Sequence, residues 1–211
     1  MGIVMKATRT YTMRVRAEQA EQTRLRIIRA TVALGGERPL AACTLPAIAE
    51  RAEVSVQTVL RIFGSRDSLL REVAERTSAE VVAERTADPD DVPGSIAAVV
   101  DHYERRGDTV LLLLGQEAWE PYAAQVTAVG KRLHRDWVAA VFAHSLDPLP
   151  EARRAAATDL LVAATDVFVW KLWRRDLRRS RDETLERMLE LAASVTSRLD
   201  RDAPASSAPP A

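Results

Sequence analysis

The feature that most constrains this chain is a stretch from Thr44 to Phe63 in which small and apolar residues recur at the spacing of two short helices. Helices that meet at a tight turn need small or apolar contact positions, because a large side chain there would push them apart. The inward positions hold Ile48, Ala49, Ala52, Val54, Val59, Ile62 and Phe63. Thr44 and Ser55 precede the two helices and can cap them by accepting a backbone N–H. The stretch therefore predicts a helix-turn-helix.

The outward face of the second of these helices carries residue types that can read DNA bases. Its members are Ser55, Val56, Gln57, Leu60 and Arg61. A helix in the major groove reads bases with its N-terminal residues. Glutamine pairs with adenine, arginine pairs with guanine or a phosphate, and valine fits a thymine methyl. Thr58 either contacts a phosphate or bonds back to its own helix.

The charge is unevenly distributed along the chain, although the formal net charge is zero. Residues 1–66 hold eleven basic and five acidic side chains, so the remainder is acidic. A basic N-terminal module suits phosphate binding by one end, and an ordinary solvated face is the alternative. Thr44 and Arg66 lie at predicted helix starts, where backbone N–H groups and the helix dipole favour a phosphate.

The helix-turn-helix and its flanks resemble the tetracycline-repressor (TetR) family of regulators. The resemblance covers about residues 20–75, including the first helix around Arg24–Leu34 and the Phe63-Gly-Ser-Arg-Asp-Ser-Leu-Leu70 junction. It implies a three-helix DNA-binding domain followed by a divergent helical domain. In that family the last two helices form a four-helix bundle across a two-fold axis.

Three positions depart from the family pattern. Glu53 stands in the turn where the family usually has glycine, which would strain the backbone by about 1–2 kcal/mol if the position is left-handed. Leu60 replaces an aromatic residue that would contact phosphate. Gly35 stands where a core phenylalanine is common.

The whole chain is predicted to be all-α, with about nine helices and no strand. Gly35 and Gly36 are expected to end the first helix. Beyond a Pro- and Asp-rich linker, helical patterns cover about 95–106, 109–118, 122–145, 150–177 and 182–200. The predicted organisation is a flexible basic arm at 1–16, a DNA-binding domain at 17–66, a connecting helix at 67–85, a ligand-binding and dimerisation domain at 86–201 and a disordered tail at 202–211.

The last two helices carry long apolar faces that either complete the core or meet a second copy of the chain. The expected dimer residues are Leu161, Ala164, Phe168, Leu172, Leu185, Met188, Leu189 and Ala192.

Aromatic residues with polar tips are concentrated in the C-terminal domain, as in a ligand cavity or an ordinary core. The candidates to line a cavity for a small, largely apolar effector are His102, Tyr103, Gln116, Trp119, His134, Trp137, Phe168 and Trp170.

Other classes of function have little support in the residues. Cys43 is the only cysteine, and no histidine has a second ligand at helical spacing, so neither a metal nor another cofactor is expected. No nucleophile elbow, P-loop or glycine-rich dinucleotide turn is present, and no enzyme is expected. Because no apolar run approaches about 20 residues and no signal pattern begins the chain, a cytoplasmic location without membrane contact is expected.

The expected function is a dimeric regulator, most often a repressor, that binds a near-palindromic operator in double-stranded DNA and is released by a small molecule. One alternative is a helix-turn-helix protein whose second domain binds a protein partner. The other is a small helical enzyme.

Overall fold

The structure is a computed structural model that describes residues 3–201, with the side chains of Val15, 17–199 and Arg201. Every regular element in this part of the chain is helical, which confirms the predicted all-α fold. None of these helices has the length and apolarity needed to cross a membrane. The chain divides into two compact units, Met1–Thr77 and Ser78–Ala211.

The first unit is built from α1 (Ile3–Glu37), a 3-10 turn (Leu40–Ala42), α2 (Leu45–Arg51), α3 (Val56–Phe63) and the start of α4 (Arg66–Glu84). Helix α1 packs on α2, and α2 packs on α3. Their contact faces bury Ile27, Leu34, Ile48, Ala49, Ala52, Val59 and Leu69. The inner face predicted for the helix-turn-helix therefore closes this core.

Both ends of α1 differ from the sequence-based expectation. The helix continues through Gly35 and Gly36 to Glu37, so the predicted stop at the two glycines is wrong by about one turn. Pro39, whose ring cannot continue a helix, follows after Arg38. At the other end the helix begins at Ile3, in the segment that the sequence analysis assigned to a flexible arm.

The second unit is built from the remaining helices. They are α5 (Val92–Leu114), α6 (Pro121–Val141), α7 (Ala143–Leu146), α8 (Glu151–Thr165), α9 (Val167–Lys171), a π-helical turn (Leu172–Asp176) and α10 (Arg181–Arg201). Helix α5 packs on α6, α9 and α10, while α8 packs on α6 and α10. The core between them includes Ile96, Val99, Tyr103, Trp137, Leu161, Trp170 and Met188.

Two predicted helix boundaries in this unit are wrong. The patterns at 95–106 and 109–118 belong to one helix, because Gly107 lies inside α5 and does not interrupt it. The pattern at 150–177 is broken at Asp166, whose extended backbone (ψ 152°) separates α8 from α9. The Asp166 carboxylate accepts the backbone N–H of Phe168 at 2.8 Å and so caps α9. The predicted tail at 202–211 lies outside the described residues.

Candidate nucleic-acid interface

The turn between α2 and α3 is held by hydrogen bonds that close locally. Thr44 Oγ1 accepts the backbone N–H of Ala47 at 3.4 Å, and Ser55 Oγ accepts that of Thr58 at 3.1 Å. The N–H of Val54 donates to the Ala49 carbonyl at 2.9 Å and closes the end of α2. Both predicted N-caps are therefore confirmed.

Glu53 has a φ of 53° and lies in the left-handed region that favours glycine. The position follows α2, where the chain must reverse direction within a few residues. An L-residue in this conformation costs about 1–2 kcal/mol, because its Cβ crowds the following carbonyl. The left-handed conformation inferred from the family's glycine is thus present here with a non-glycine residue.

Replacing Glu53 with glycine is expected to stabilise the first unit. Glycine removes the strain of the left-handed conformation, which is worth more than the conformational entropy that glycine adds to the unfolded chain. The free energy of unfolding should therefore rise by about 0.5–1 kcal/mol. Urea unfolding of the full chain checks this, with Glu50→Gly in the helical part of α2 as the control, which should lose about 1 kcal/mol. Equal losses for both variants would contradict the strain argument.

Helix α3 is fixed by a side-chain bridge among three helices. The Arg24 guanidinium from α1 lies 4.9 Å from the centre of the Phe63 ring at the end of α3. The same guanidinium forms a two-point ion pair with Glu72 on α4. This pairing raises the pKa of Arg24 above its ordinary value, chiefly through the hydrogen bond to Glu72. The outward face of α3 is therefore presented by a rigid helix.

The outward face of α3 is largely solvent-exposed. Ser55, Gln57, Leu60 and Arg61 are exposed, and Val56 and Thr58 are half-buried. Gln57 and Arg61 are one helical turn apart on the same side. Within the described residues, neither side chain has a hydrogen bond or ion pair to the rest of the protein. Two polar side chains on this face thus keep their donors for a ligand.

The other three candidate DNA contacts have partners or caps within the first unit. Thr58 Oγ1 lies 2.9 Å from Ser55 Oγ, so its hydroxyl is shared with the N-cap. Thr44 is exposed and caps α2. Arg66 Nε donates to the Cys43 carbonyl at 2.9 Å, and its Nη2 donates to that of Leu40 at 2.6 Å. The guanidinium therefore ties α4 to the 3-10 turn.

The candidate ligand residues of the second unit do not all lie inside it. Six of the eight are buried: His102, Tyr103, Gln116, His134, Trp137 and Trp170. Trp119 is 72% exposed and Phe168 is 56% exposed. These two side chains lie on the surface of the single chain, where they cannot line an enclosed cavity without a further partner.

Two of the buried candidates, Tyr103 and His134, meet at Thr165. Tyr103 Oη donates to the Thr165 carbonyl at 3.1 Å, and His134 Nε2 lies 3.2 Å from Thr165 Oγ1. Burial, followed by the charge of Arg85, lowers the pKa of both His102 and His134 to about 4. Burial also raises the pKa of Tyr103 to about 12. All three groups are therefore neutral at pH 7.

The candidate dimer residues divide between the core and the surface. Leu161, Ala164, Met188 and Ala192 are buried within the single chain, while Leu185 and Leu189 are half-buried. Phe168 and Leu172 are exposed. Two further exposed apolar residues, Leu160 on α8 and Leu191 on α10, are not among the dimer residues expected from the sequence. Since Leu160 and Leu161 are adjacent, periodicity alone did not distinguish which one faces outward.

The sequence analysis also missed Arg85, Thr165 and Asp166. In the sequence, Arg85 ends a charged helix and reads as a solvated residue. Thr165 and Asp166 lie within what appeared to be one continuous helix. The chain breaks between α8 and α9 at Asp166, and nothing in the local sequence pattern marks this break.

Part of the first unit is similar to a known protein family. Residues 27–73 match the model of the tetR family of bacterial regulatory proteins. A relative from Streptomyces coelicolor, the HTH-type transcriptional repressor SCO4008, is 26% identical over 126 residues, which cover 54% of this chain. The match spans 66% of that relative's length, just under two thirds.

Two solved structures from Rhodococcus sp. RHA1 share the fold. A transcriptional regulator has a TM-score of 0.63 at 16% identity, covering 82% of this chain and 96% of its own. A TetR-like transcriptional regulator has a TM-score of 0.60 at 16% identity, covering 83% and 96%. At this identity the likeness concerns the fold alone. Residues 27–73 therefore match the tetR family of bacterial regulatory proteins, as the sequence motifs indicated, and most of the chain is similar in fold to these two regulators.

Proposed function

We propose that this protein is a transcriptional repressor that binds operator DNA as a homodimer and is released by a small molecule bound in its second unit. The observation that carries the DNA-binding part is the pair Gln57 and Arg61, exposed and without described partners on a helix fixed by its neighbours. A rigid helix with unpaired donors on its outer face suits the major groove, which displays acceptors on guanine and adenine.

The proposed contacts divide into base readers and phosphate binders. Gln57 and Arg61 make bidentate contacts with adenine and guanine, and Val56 meets a thymine methyl. Ser55, Thr58 and Leu60 lie beside the sugar-phosphate backbone of the DNA. The Thr44 end of α2 faces a phosphate, and Arg66 supports that end through its bonds to the 3-10 turn and contributes its charge.

The test of this proposal is selection from random duplex DNA, followed by binding measurements with single variants. Arg61→Ala should weaken operator binding roughly 5- to 150-fold and relax the preference at one base pair. Arg132→Ala on α6, also exposed, is the matched control and should leave affinity unchanged. A purified protein that enriches no sequence at low salt would overturn the DNA-binding proposal.

Homodimerisation is proposed through the exposed faces of α8 and α10, which pack on each other in the single chain. Leu160 is 48% exposed and Leu191 is 39% exposed. Exposed alanines surround them on the same two helices, at Ala152, Ala156, Ala163 and Ala193. Small residues around a large apolar one let two helices approach closely. Two recognition helices would then read half-sites separated by about 34–36 Å or a multiple.

Leu160→Glu and Leu191→Glu are each expected to convert the dimer to a monomer. In a two-fold interface each change places two carboxylates in a buried apolar contact, where an unpaired charge is strongly disfavoured. Sedimentation at micromolar concentration measures this. Val82→Glu, at a 58% exposed position on α4, is the matched control and should remain dimeric. A wild-type chain that sediments as a monomer would contradict the proposed homodimer.

Release from DNA requires the ligand to prefer the conformation that binds operator poorly. Helix α4 contributes residues to both units and is the proposed link. A tenfold loss of operator affinity needs about 1.4 kcal/mol of differential binding, and operator must weaken ligand binding by the same factor. Titrating a bound ligand with operator and with scrambled duplex tests this. Equal ligand affinities would refute the coupling between ligand and operator, even if the ligand site is real.

A further inference from the structure

We infer that the small molecule taken by the second unit is an apolar carboxylic acid whose carboxylate binds the guanidinium of Arg85. This inference rests on the proposed ligand response and narrows it to a chemical class. Arg85 follows α4 and lies among the buried polar groups of the second unit.

Arg85 is the charged member of this cluster that lacks an ionic partner. Its Nη1 faces His134 Nδ1 at 3.4 Å, and its Cζ lies 5.3 Å from the centre of the Tyr103 ring. Its Nε is buried without a hydrogen-bond partner. Among the ion pairs between described residues, none includes Arg85. A buried donor left unsatisfied destabilises the fold, and more so on a charged group.

The hydrogen bonds around Arg85 fix the neutral state of its neighbour. The Thr165 hydroxyl donates to the Leu161 carbonyl at 2.8 Å, so its oxygen is left to accept from His134 Nε2. His134 therefore carries its proton on Nε2 and presents the lone pair of Nδ1 to Arg85. The guanidinium thus meets two uncharged groups, the lone pair of His134 Nδ1 and the Tyr103 side chain, to which it also hydrogen-bonds, and neither group cancels its charge.

The nearby carboxylates are engaged elsewhere. Glu84 accepts from His102 at 2.8 Å and from Arg106 Nη2 at 2.9 Å. The hydrogen bond from Arg106, then that from His102, holds its pKa at about 2 despite burial. Asp166 caps α9 through the N–H of Phe168, and burial raises its pKa. The charge of Arg85 also acts on the Asp166 carboxylate, but the two groups form no ion pair, so an anion from outside the chain would give Arg85 its first direct ionic partner among the described residues.

The groups around the guanidinium suit an apolar body joined to that anion. The His134 and Trp137 rings are stacked with centroids 5.6 Å apart, and Tyr103 and Trp170 lie 5.9 Å apart. Trp137 Nε1 and Trp170 Nε1 already donate to Thr86 and Glu104. Their rings therefore offer apolar contact to a ligand. The unsatisfied N–H of Arg85 favours a carboxylic acid over an uncharged ligand.

The experiment compares carboxylic acids with their primary amides on the full chain. Benzoate, phenylacetate, 1-naphthoate, octanoate and decanoate are each paired with the amide of the same skeleton, and dissociation constants are measured by calorimetry. At least one acid should bind roughly 10- to 100-fold more tightly than its amide, as expected for a charge-assisted hydrogen bond. Equal affinities within every pair, or no binding by any acid, would overturn the inference.

Variants then assign the effect to Arg85. Arg85→Gln should remove the preference for the acid, and Arg85→Lys should restore part of it. Arg175→Gln is the matched control, because Arg175 also lies over an aromatic ring, 4.5 Å from the Trp170 centroid, but is paired with Asp108. Retention of the acid preference in Arg85→Gln would contradict the assignment. Operator binding measured without any acid tests the proposed function separately.

Discussion

Replacing Gly107 with alanine is expected to destabilise the second unit by up to about 2 kcal/mol. A Cβ added at this position would lie 2.4 Å from Trp170 Cζ3 and 2.6 Å from its Cη2. Overpacking of a filled core typically costs about 1–3 kcal/mol, and sometimes more. The higher helix propensity of alanine returns only about 1 kcal/mol.

The clash at Gly107 is severe because Trp170 has little freedom to move. Its side chain is fully buried, and its Nε1 donates to Glu104 Oε1 at 2.8 Å. Arg175 covers the ring, and Tyr103 packs beside it. Moving the indole would therefore break a buried hydrogen bond as well as the packing. The added methyl must be accommodated by separating α5 from α9.

Gly130 supplies the matched control within the same unit. It lies in α6, and a Cβ added there would have no atom within 4 Å. Gly130→Ala should raise the free energy of unfolding by about 0.5–1 kcal/mol through helix propensity alone. Urea unfolding of both variants makes the comparison. Similar stabilisation of the two would show that the contact between α5 and Trp170 is looser than described.

Acidification from pH 7 to pH 4.5 is expected to produce the second large effect, a loss of stability through His102 and His134. Burial, and then the charge of Arg85, lowers the pKa of each side chain from 6.5 to about 4. Between these pH values the unfolded chain binds protons that the folded chain does not. The stabilising contribution is thus complete above pH 6.5 and is lost as the pH falls toward 4.

The expected loss is on the order of 1–3 kcal/mol for each histidine, since one pKa unit corresponds to about 1.4 kcal/mol. Glu84 affects the stability at lower pH. Its pKa of about 2 lies below the ordinary 4.5, so its contribution is lost only as the pH falls from 4.5 toward 2. The loss of stability through the two histidines and the loss through Glu84 therefore occur in different pH ranges.

Urea unfolding at half-unit pH steps, with NMR titration of the histidine rings, measures this dependence. His134→Gln should flatten the slope between pH 6.5 and 4.5. His144→Gln should leave it unchanged, because that side chain is 69% exposed. A wild-type stability that does not vary between pH 7 and 5 would mean that folding does not lower the pKa of the two buried rings.

The sequence by itself determined the helix-turn-helix, because the interactions that define it close within a few residues. The caps at Thr44 and Ser55 and the small residues at the crossing follow from the sequence, and the family's glycine at the position of Glu53 raised the question of a left-handed backbone, which Glu53 adopts. The exposed face of α3 followed from the same periodicity. The DNA contacts assigned to that face stay predictions, because they depend on a partner outside the chain.

Only the tertiary structure decided which apolar and polar groups of the second unit face one another. Leu160 and Leu161 are equivalent in local pattern, yet the packing of α8 on α6 and α10 buries one and exposes the other. Gly107 is necessary only because Trp170, far along the chain, fills the space beside it. Arg85 differs from a surface arginine only through the buried groups around it. Long-range packing sets these environments, and a helical periodicity does not encode which distant helix covers each face.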